Sequence, residues 1–540
     1  MKKNLGLALL AATSILMAGC INNTPVGPDP TPTPTKKDQV LFWAPFGSGY
    51  TTALENLIKN FNNKQETFQV KCESQGSYKN IQTNITNSIT TATYPNFALG
   101  YPDHFAGYIK SSIMLTLDDF IENYDNEHKE ELAALGYESI IDDYYPQYMD
   151  ENLTLKFKPD GTGYVMGLPF NKSTELLSYN GYMFDYVQAM DATIEKVPET
   201  YAEWASIGAK IRNVVISNEA TSLVGKKLFG TTDADGKASE FQVEPASTEK
   251  VEGKKLLLDC EYVNDTNFKV FTWNDLDNMF ITLVRQFGGV YTSYTKNDMS
   301  VYKHGFAEFW NDENKANTKQ ALQVIDDLHN AKIFGTASEL TGGDKDTASD
   351  PFIQNKVFAL VSSSGGLSYN VNGNATRVRL QEIPYNTADH KHVISQGTNM
   401  GLFDQDKPQQ MLESFDAMVA LSTGDLQAQW AVETGYFPAT KSAMNSPIYQ
   451  EFLNKDYGER NALLRAYKES YNINNDSYRA EDENLKWDLF VDPGFNGSSM
   501  IREQVGQIIG AVLQRASGSS IEDAVDPIVK VIADAGYVRS

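Results

Sequence analysis

The sequence predicts an α/β protein folded as two lobes, on three observations. Of 540 residues, roughly 500 remain beyond an N-terminal leader and tether, enough for two domains with sizeable cores. From Gln39 to Gly100 short apolar strands alternate with helical periodicities, the signature of βα units around a largely parallel sheet. At 167–180 a Gly-Leu-Pro-Phe-Asn-Lys-Ser-Thr run passes from a polar loop into the apolar Leu176, Leu177 and Tyr179, which suits a crossing into a second lobe. The expected lobes are 38–155 with 385–430, and 156–384 with 431–540.

Residues 1–20 read as an export signal. Lys2 and Lys3 form its positive region, and Leu5 to Met17 is an apolar stretch too short to span a bilayer. The close, Leu16-Met17-Ala18-Gly19-Cys20, resembles a bacterial lipoprotein signal, in which the Cys becomes the lipid-bearing N-terminus. Acyl chains on Cys20 would hold the protein at the membrane surface. Residues 21–37 carry Pro25, Pro28, Pro30, Pro32 and Pro34 among Thr, Asn and Gly. Such a composition buries no core and makes an extended tether.

In the body, Gln39 to Trp43 is a strand. Leu54, Leu57, Ile58 and Phe61 recur at helical spacing. Phe68 to Cys72 is a second strand, Ile81, Ile85 and Ile89 a second helix, and Asn96 to Gly100 a third strand. Ligands of such sheets bind beyond the carboxyl ends of the strands. That singles out the loops 44–49, 74–78 and 101–105. Ala202 to Val214 is an amphipathic helix. Residues 217–268, rich in Gly and charge, read as an insertion with hairpins. Trp273 to Phe287 and Thr318 to Lys332 are helical. The strand Val357 to Val361 ends in Ser362-Ser363-Ser364-Gly365-Gly366, a loop whose small residues let a backbone approach a ligand. Val378 to Ile383 is a strand, after which Pro384 is expected to return the chain to the first lobe. Gln409 to Leu421 is helical. Two helices close the chain, with Pro527 kinking the second or delaying its start.

The formal charge of -24 argues against nucleic acid and against an electrostatic hold on anionic lipid. Beyond Cys20 only Cys72 and Cys260 remain. They either pair in an oxidising compartment or stay two buried thiols. No cysteine cluster suggests a metal, and no cofactor is expected.

Several segments in order carry a family resemblance. They are Phe42-Trp43 with its following helix, Asp103-His104-Phe105-Ala106-Gly107-Tyr108, Leu168 to Thr174 followed by Tyr179-Asn180, Thr434-Gly435-Tyr436-Phe437-Pro438-Ala439-Thr440, and Ser499-Met500-Ile501-Arg502. Behind a lipoprotein signal, this order resembles the sugar-type extracellular solute-binding proteins of bacterial ABC importers, which include maltodextrin- and glycerophosphate-binding lipoproteins. The resemblance implies a two-lobed periplasmic-binding-protein-like fold with a hinge and a ligand cleft between the lobes. It also implies that binding is read by a membrane permease, that the solute is not transformed and that the protein is a monomer in the cell envelope. The sequence departs from the glycerophosphate branch at Lys172, Tyr201 and Pro102-Asp103.

Sugars present hydroxyl fringes and apolar faces, whereas phosphates call for Arg forks and backbone N–H groups. Trp43, Phe46, Tyr101 and Tyr436 are candidate platforms, each equally at home in a core. Asp103 and Asn171 could hydrogen-bond sugar hydroxyls. Ser173, Ser363, Ser364 and Gly365 could donate to hydroxyls or phosphate. Arg502 could fork a phosphate or make a structural ion pair. A neutral sugar and a glycerophosphate both remain open. An exported glycoside hydrolase is the alternative of another class, needing two carboxylates across the bond. No nucleophile elbow or zinc helix supports it. An adhesin or signalling receptor on the same two lobes is a third reading.

Overall fold

A computed structural model describes residues 38–295, 304–343, 345, 347–371, 377–457, 461–479 and 487–539. The leader, the tether and Cys20 lie outside them. Among the described residues no helix is long and apolar enough to cross a membrane.

Two sheets organise the chain. The first holds the parallel strands Asp38–Ala44, Phe68–Ser74 and Phe97–Gly100, extended by Asn399–Leu402, antiparallel to Phe97–Gly100, and then by Leu168–Pro169, antiparallel to Asn399–Leu402. Its helix Ser48–Asn63 follows from the predicted spacing, because Leu54, Leu57, Ile58 and Phe61 all face the core. The second sheet is centred on Ser173–Asn180, flanked antiparallel by Val357–Ser363, Val378–Gln381 and His392–Gln396. Val357–Ser363 pairs in parallel with Lys269–Trp273. Around it lies the larger of the cores, where Trp204 stacks on Phe271 with centroids 5.0 Å apart.

The first crossing falls inside the expected 167–180 stretch, later than the lobe boundary at 156, and the return falls later than 385. Leu168–Pro169 still belongs to the first sheet, and Ser173 already belongs to the second, so the chain crosses between them. Pro384 does not return it. His392–Gln396 pairs with Ser173 and Thr174 in the second sheet, and the return comes only at Asn399. A continuous hydrogen-bonded ladder, not a proline, fixes that point. The 217–268 insertion is an antiparallel three-stranded sheet of Lys226–Thr232, Ala238–Pro245 and Lys255–Asp259. The final helix Ile521–Asp534 starts on a Ser520–Asp523 capping box and carries Pro527 inside it. Cys72 and Cys260 are both free thiols.

The crossings meet at a buried ion pair. Lys172 donates to Glu151 Oε1, and both side chains are buried. Asn399 joins it, accepting from Lys172 Nζ at 3.0 Å and donating to Glu151 Oε1 at 2.6 Å. Phe437, from a later connection, bridges to Lys172 through the backbone. Charges removed from water need such pairing, and here the pair also sits where the segments between the sheets converge.

Candidate functional site

A cavity of about 990 Å³ lies between the sheets. Its position follows from the strand directions. Each parallel strand of the first sheet is followed by a tyrosine on the cavity wall: Tyr50 after Ala44, Tyr78 after Ser74 and Tyr101 after Gly100. Across from them, Lys269–Trp273 leads to Asp275 and Asp277, and Val357–Ser363 leads to Gly365. Both walls thus use the carboxyl ends of strands, where unpaired backbone and helix starts leave room for a ligand.

The first-lobe wall is a cluster of rings. Tyr78 meets Tyr101 edge-on with centroids 4.9 Å apart. Tyr436 lies 6.1 Å from Tyr50 and is backed by a nearly parallel Trp430 at 6.3 Å. Trp430 is itself fixed by donating its indole N–H to Asn171 Oδ1 at 2.8 Å. The Tyr50 hydroxyl reaches across the cleft to Gly365 O and lies 3.3 Å from Ser368 Oγ. Burial pushes its pKa up to about 12, opposed by Ser368. Gly365 is required there, since a Cβ would lie 2.6 Å from Tyr436 Cε1.

The second-lobe wall is charged. Arg502 donates from Nε to Asp277 Oδ2 at 2.6 Å and from a terminal nitrogen to Asn278 Oδ1. Burial opposes its charge, but Asp277 and Asp103 more than offset this and raise its pKa. Asp275 is enclosed by protein mass and set beside Asp277, and these push it up to about 6 against the pull of Arg502. Its side chain nonetheless opens to the cavity, so solvent there damps the shift. Burial also raises Asp492, opposed by Arg285. Ser499 Oγ donates to Asp103 Oδ2 at 2.9 Å, and Lys79 meets Glu503 at 3.2 Å, so the two walls also touch at the rim.

Of the residues singled out from sequence, Tyr101, Asp103, Ser173, Ser363, Gly365, Tyr436 and Arg502 line the cavity. Four do not. Trp43 is 9% exposed in a core, with its indole N–H directed at Glu73. Phe46 packs on Tyr50 and Trp430 in the first-lobe core. Asn171 is fully buried between Trp430 and Thr398. Ser364 is fully buried and accepts from the Thr174 backbone. Phe46, Asn171 and Ser364 support the wall from behind, through Tyr50, Trp430 and the Thr174 backbone, whereas Trp43 belongs to a separate core. The residues 101–105, expected as a loop, begin the helix Pro102–Lys110. Sequence reasoning missed Tyr50, Tyr78, Tyr291, Asp275, Asp277 and Asp492. A tyrosine shortly after three successive strand ends was the signal available for the first two.

The family model for bacterial extracellular solute-binding proteins matches residues 56–454. The chain belongs to that family. None of the curated proteins matches it in sequence. Among solved structures, an ABC substrate-binding protein of Listeria monocytogenes, in complex with cycloalternan, is 14% identical at a TM-score of 0.60, covering 93% of this chain and 100% of that one. The GacH receptor of Streptomyces glaucescens, described unliganded and with acarbose, is 13% identical at 0.59, over 92% and 98%. UgpB of Mycobacterium tuberculosis, in complex with glycerophosphocholine, is 14% identical at 0.59, over 92% and 99%. At these identities the likeness is one of fold, and the fold is two-lobed.

Proposed function

We propose that the protein is the solute-binding component of an ABC importer, held to the membrane by lipid on Cys20, and that it captures an oligosaccharide between its lobes for delivery to a permease. The observation that carries this reading is the division of the cavity into a ring-lined wall and a carboxylate- and hydroxyl-lined wall. Tyrosine rings cover the apolar faces of sugar rings, and carboxylates accept from hydroxyls. The volume of about 990 Å³ lies at the upper end of the range, roughly 300–1,000 Å³, of small-molecule sites. The Listeria and Streptomyces proteins bind cycloalternan and acarbose, which supports the same ligand class.

The glycerophosphate reading loses its main donor, because Arg502 is already engaged by Asp277 and Asn278. A ligand that touches both walls favours the closed arrangement, and that differential contact is what a permease can read. No chemistry on the solute is needed.

A thermal-shift screen of the purified protein against neutral oligosaccharides and polyol phosphates tests this. A ligand that binds only the folded state raises the midpoint by mass action, by about 2.7 kcal/mol of stability at a hundredfold excess over Kd. A shift with a neutral oligosaccharide is expected. A shift with phosphates alone would replace this reading with the glycerophosphate one. Turnover of the bound sugar, abolished in Asp275→Asn, would replace it with a hydrolase.

A further inference from the structure

The charged end of the cavity holds more than a sugar's hydroxyls require. Tyr291 is only 4% exposed and Thr292 9%, yet neither hydroxyl has a protein partner among the described residues. Both line the cavity. Beside them, neither carboxylate oxygen of Asp492 has a hydrogen bond among the described residues. A terminal nitrogen of Arg285 stands 3.6 Å from it, and that guanidinium is spread over the Phe490 ring. Buried polar groups are almost always satisfied, and an exception beside a cavity calls for an explanation, of which a bound polar group is one.

The charge balance says what kind of group would complete it. Asp103, Asp275, Asp277 and Asp492 lie on this part of the wall. The guanidiniums facing them are Arg502, spent on Asp277 and Asn278, and Arg285. His104 is 4.0 Å from Asp103, and Lys79 is paired with Glu503 at the rim. Carboxylates therefore outnumber the guanidiniums in a place partly shielded from water, where Coulomb terms are stronger than in bulk. A neutral hydroxyl would satisfy one acceptor and leave the excess. A protonated amine would donate three N–H bonds and supply the missing positive charge.

We propose that this end of the cavity, framed by Tyr291, Thr292, Asp277 and Asp492, is a subsite for a protonated amino group, so that the preferred solute is an oligosaccharide carrying an amino sugar. The proposal rests on the sugar-binding reading and narrows it. The tyrosine wall takes the ring faces, Asp492 and Asp277 take two N–H bonds of the ammonium, and the Tyr291 and Thr292 hydroxyls share the third.

The test is calorimetric titration of the full chain at neutral pH with matched pairs that differ only by an amine for the hydroxyl at C2 of each sugar unit. Glucosamine is set against glucose, and the β-1,4-linked glucosamine trimer against cellotriose. The amine member of a pair is expected to bind at least about tenfold tighter, a difference of about 1.4 kcal/mol. Asp492→Asn should collapse the ratio of affinities within each pair, whatever it does to the neutral sugar's own affinity. Tyr291→Phe, which removes only an unpartnered hydroxyl, gives a milder loss in the same direction should the Asp492 variant fail to fold. Equal binding within the pairs, or tighter binding of the neutral member, overturns the amine subsite and leaves the sugar receptor standing. No binding by either member of any pair overturns both.

Discussion

The first-lobe wall of the cavity is built of rings and the second-lobe wall of charges, and the two are held by different physics. Tyr78 leans on Tyr101, and Tyr436 on Tyr50 and Trp430, so each ring is positioned by packing over a large area. Asp275, Asp277, Asp492 and Arg502 are positioned by a few directional contacts, and some of their atoms have none. A packed wall tolerates loss of one polar atom but not loss of volume. A wall of paired charges tolerates the reverse. The cavity can therefore present a rigid platform to a sugar face and a tunable fringe to its substituents.

The largest expected effect lies where the two walls are joined. Lys172→Met leaves Glu151 buried with its cation gone and only the Asn399 amide to meet it. Breaking a buried pair from one side costs about 3–5 kcal/mol, whereas replacing both partners by apolar groups is often neutral. Urea unfolding should show Lys172→Met destabilised by that amount and the double variant Lys172→Met/Glu151→Leu largely restored. A single variant as stable as the wild type would mean that the walls are not joined through this pair.

A smaller effect is expected on the ring wall itself. Tyr436→Ala removes the face backed by Trp430, and a central aromatic anchor is worth about 2 kcal/mol of binding. Tyr436→Phe keeps that face. Titration with the sugar that binds best should show the Ala variant weakened and the Phe variant close to wild type. Loss in both would assign the binding to the hydroxyl and undo the contrast between the walls.

The two walls also differ in how legible they are in the sequence. The strands and helices of the first lobe follow from clean periodicities such as Leu54, Leu57, Ile58 and Phe61, and its cavity residues sit just beyond the strand ends. Trp43 and Phe46 misled because an aromatic near a strand end reads alike whether it faces a core or a cleft, and here both face the core. The charged wall sets Asp277 against Asp492 and Arg502, from a segment far away in sequence. No local pattern distinguishes them from the many other acidic residues on the chain. Arg502 was visible as a residue of interest, but its engagement by Asp277, 225 positions away, was not. The crossing at 392–399 was misplaced for the same reason. Pairing between Gln396 and Ser173 is a long-range fact, whereas Pro384 is a local one.

The smallest expected effect concerns a side chain behind the charged wall. Glu175 is fully buried, and its Oε1 accepts from Trp273 Nε1 at 2.8 Å while Oε2 has no partner among the described residues. Burial raises its pKa well above the ordinary carboxyl value, with Asp275 and Asp277 adding to the effect and the Trp273 N–H and Arg502 opposing it. The folded state therefore holds this proton more tightly than the unfolded chain does. The contribution to stability is complete below the unfolded carboxyl pKa, about 4.3, and is lost as pH rises toward and through the folded value. Glu175→Gln removes the titration while keeping the shape. Urea midpoints of the two proteins should coincide near pH 4 and separate as pH rises to 8, the variant being the more stable. Parallel curves would mean that Glu175 is ionised in the folded protein. In that case the charged wall would extend one layer deeper than its lining residues, and the carboxylate excess facing the cavity would be larger still.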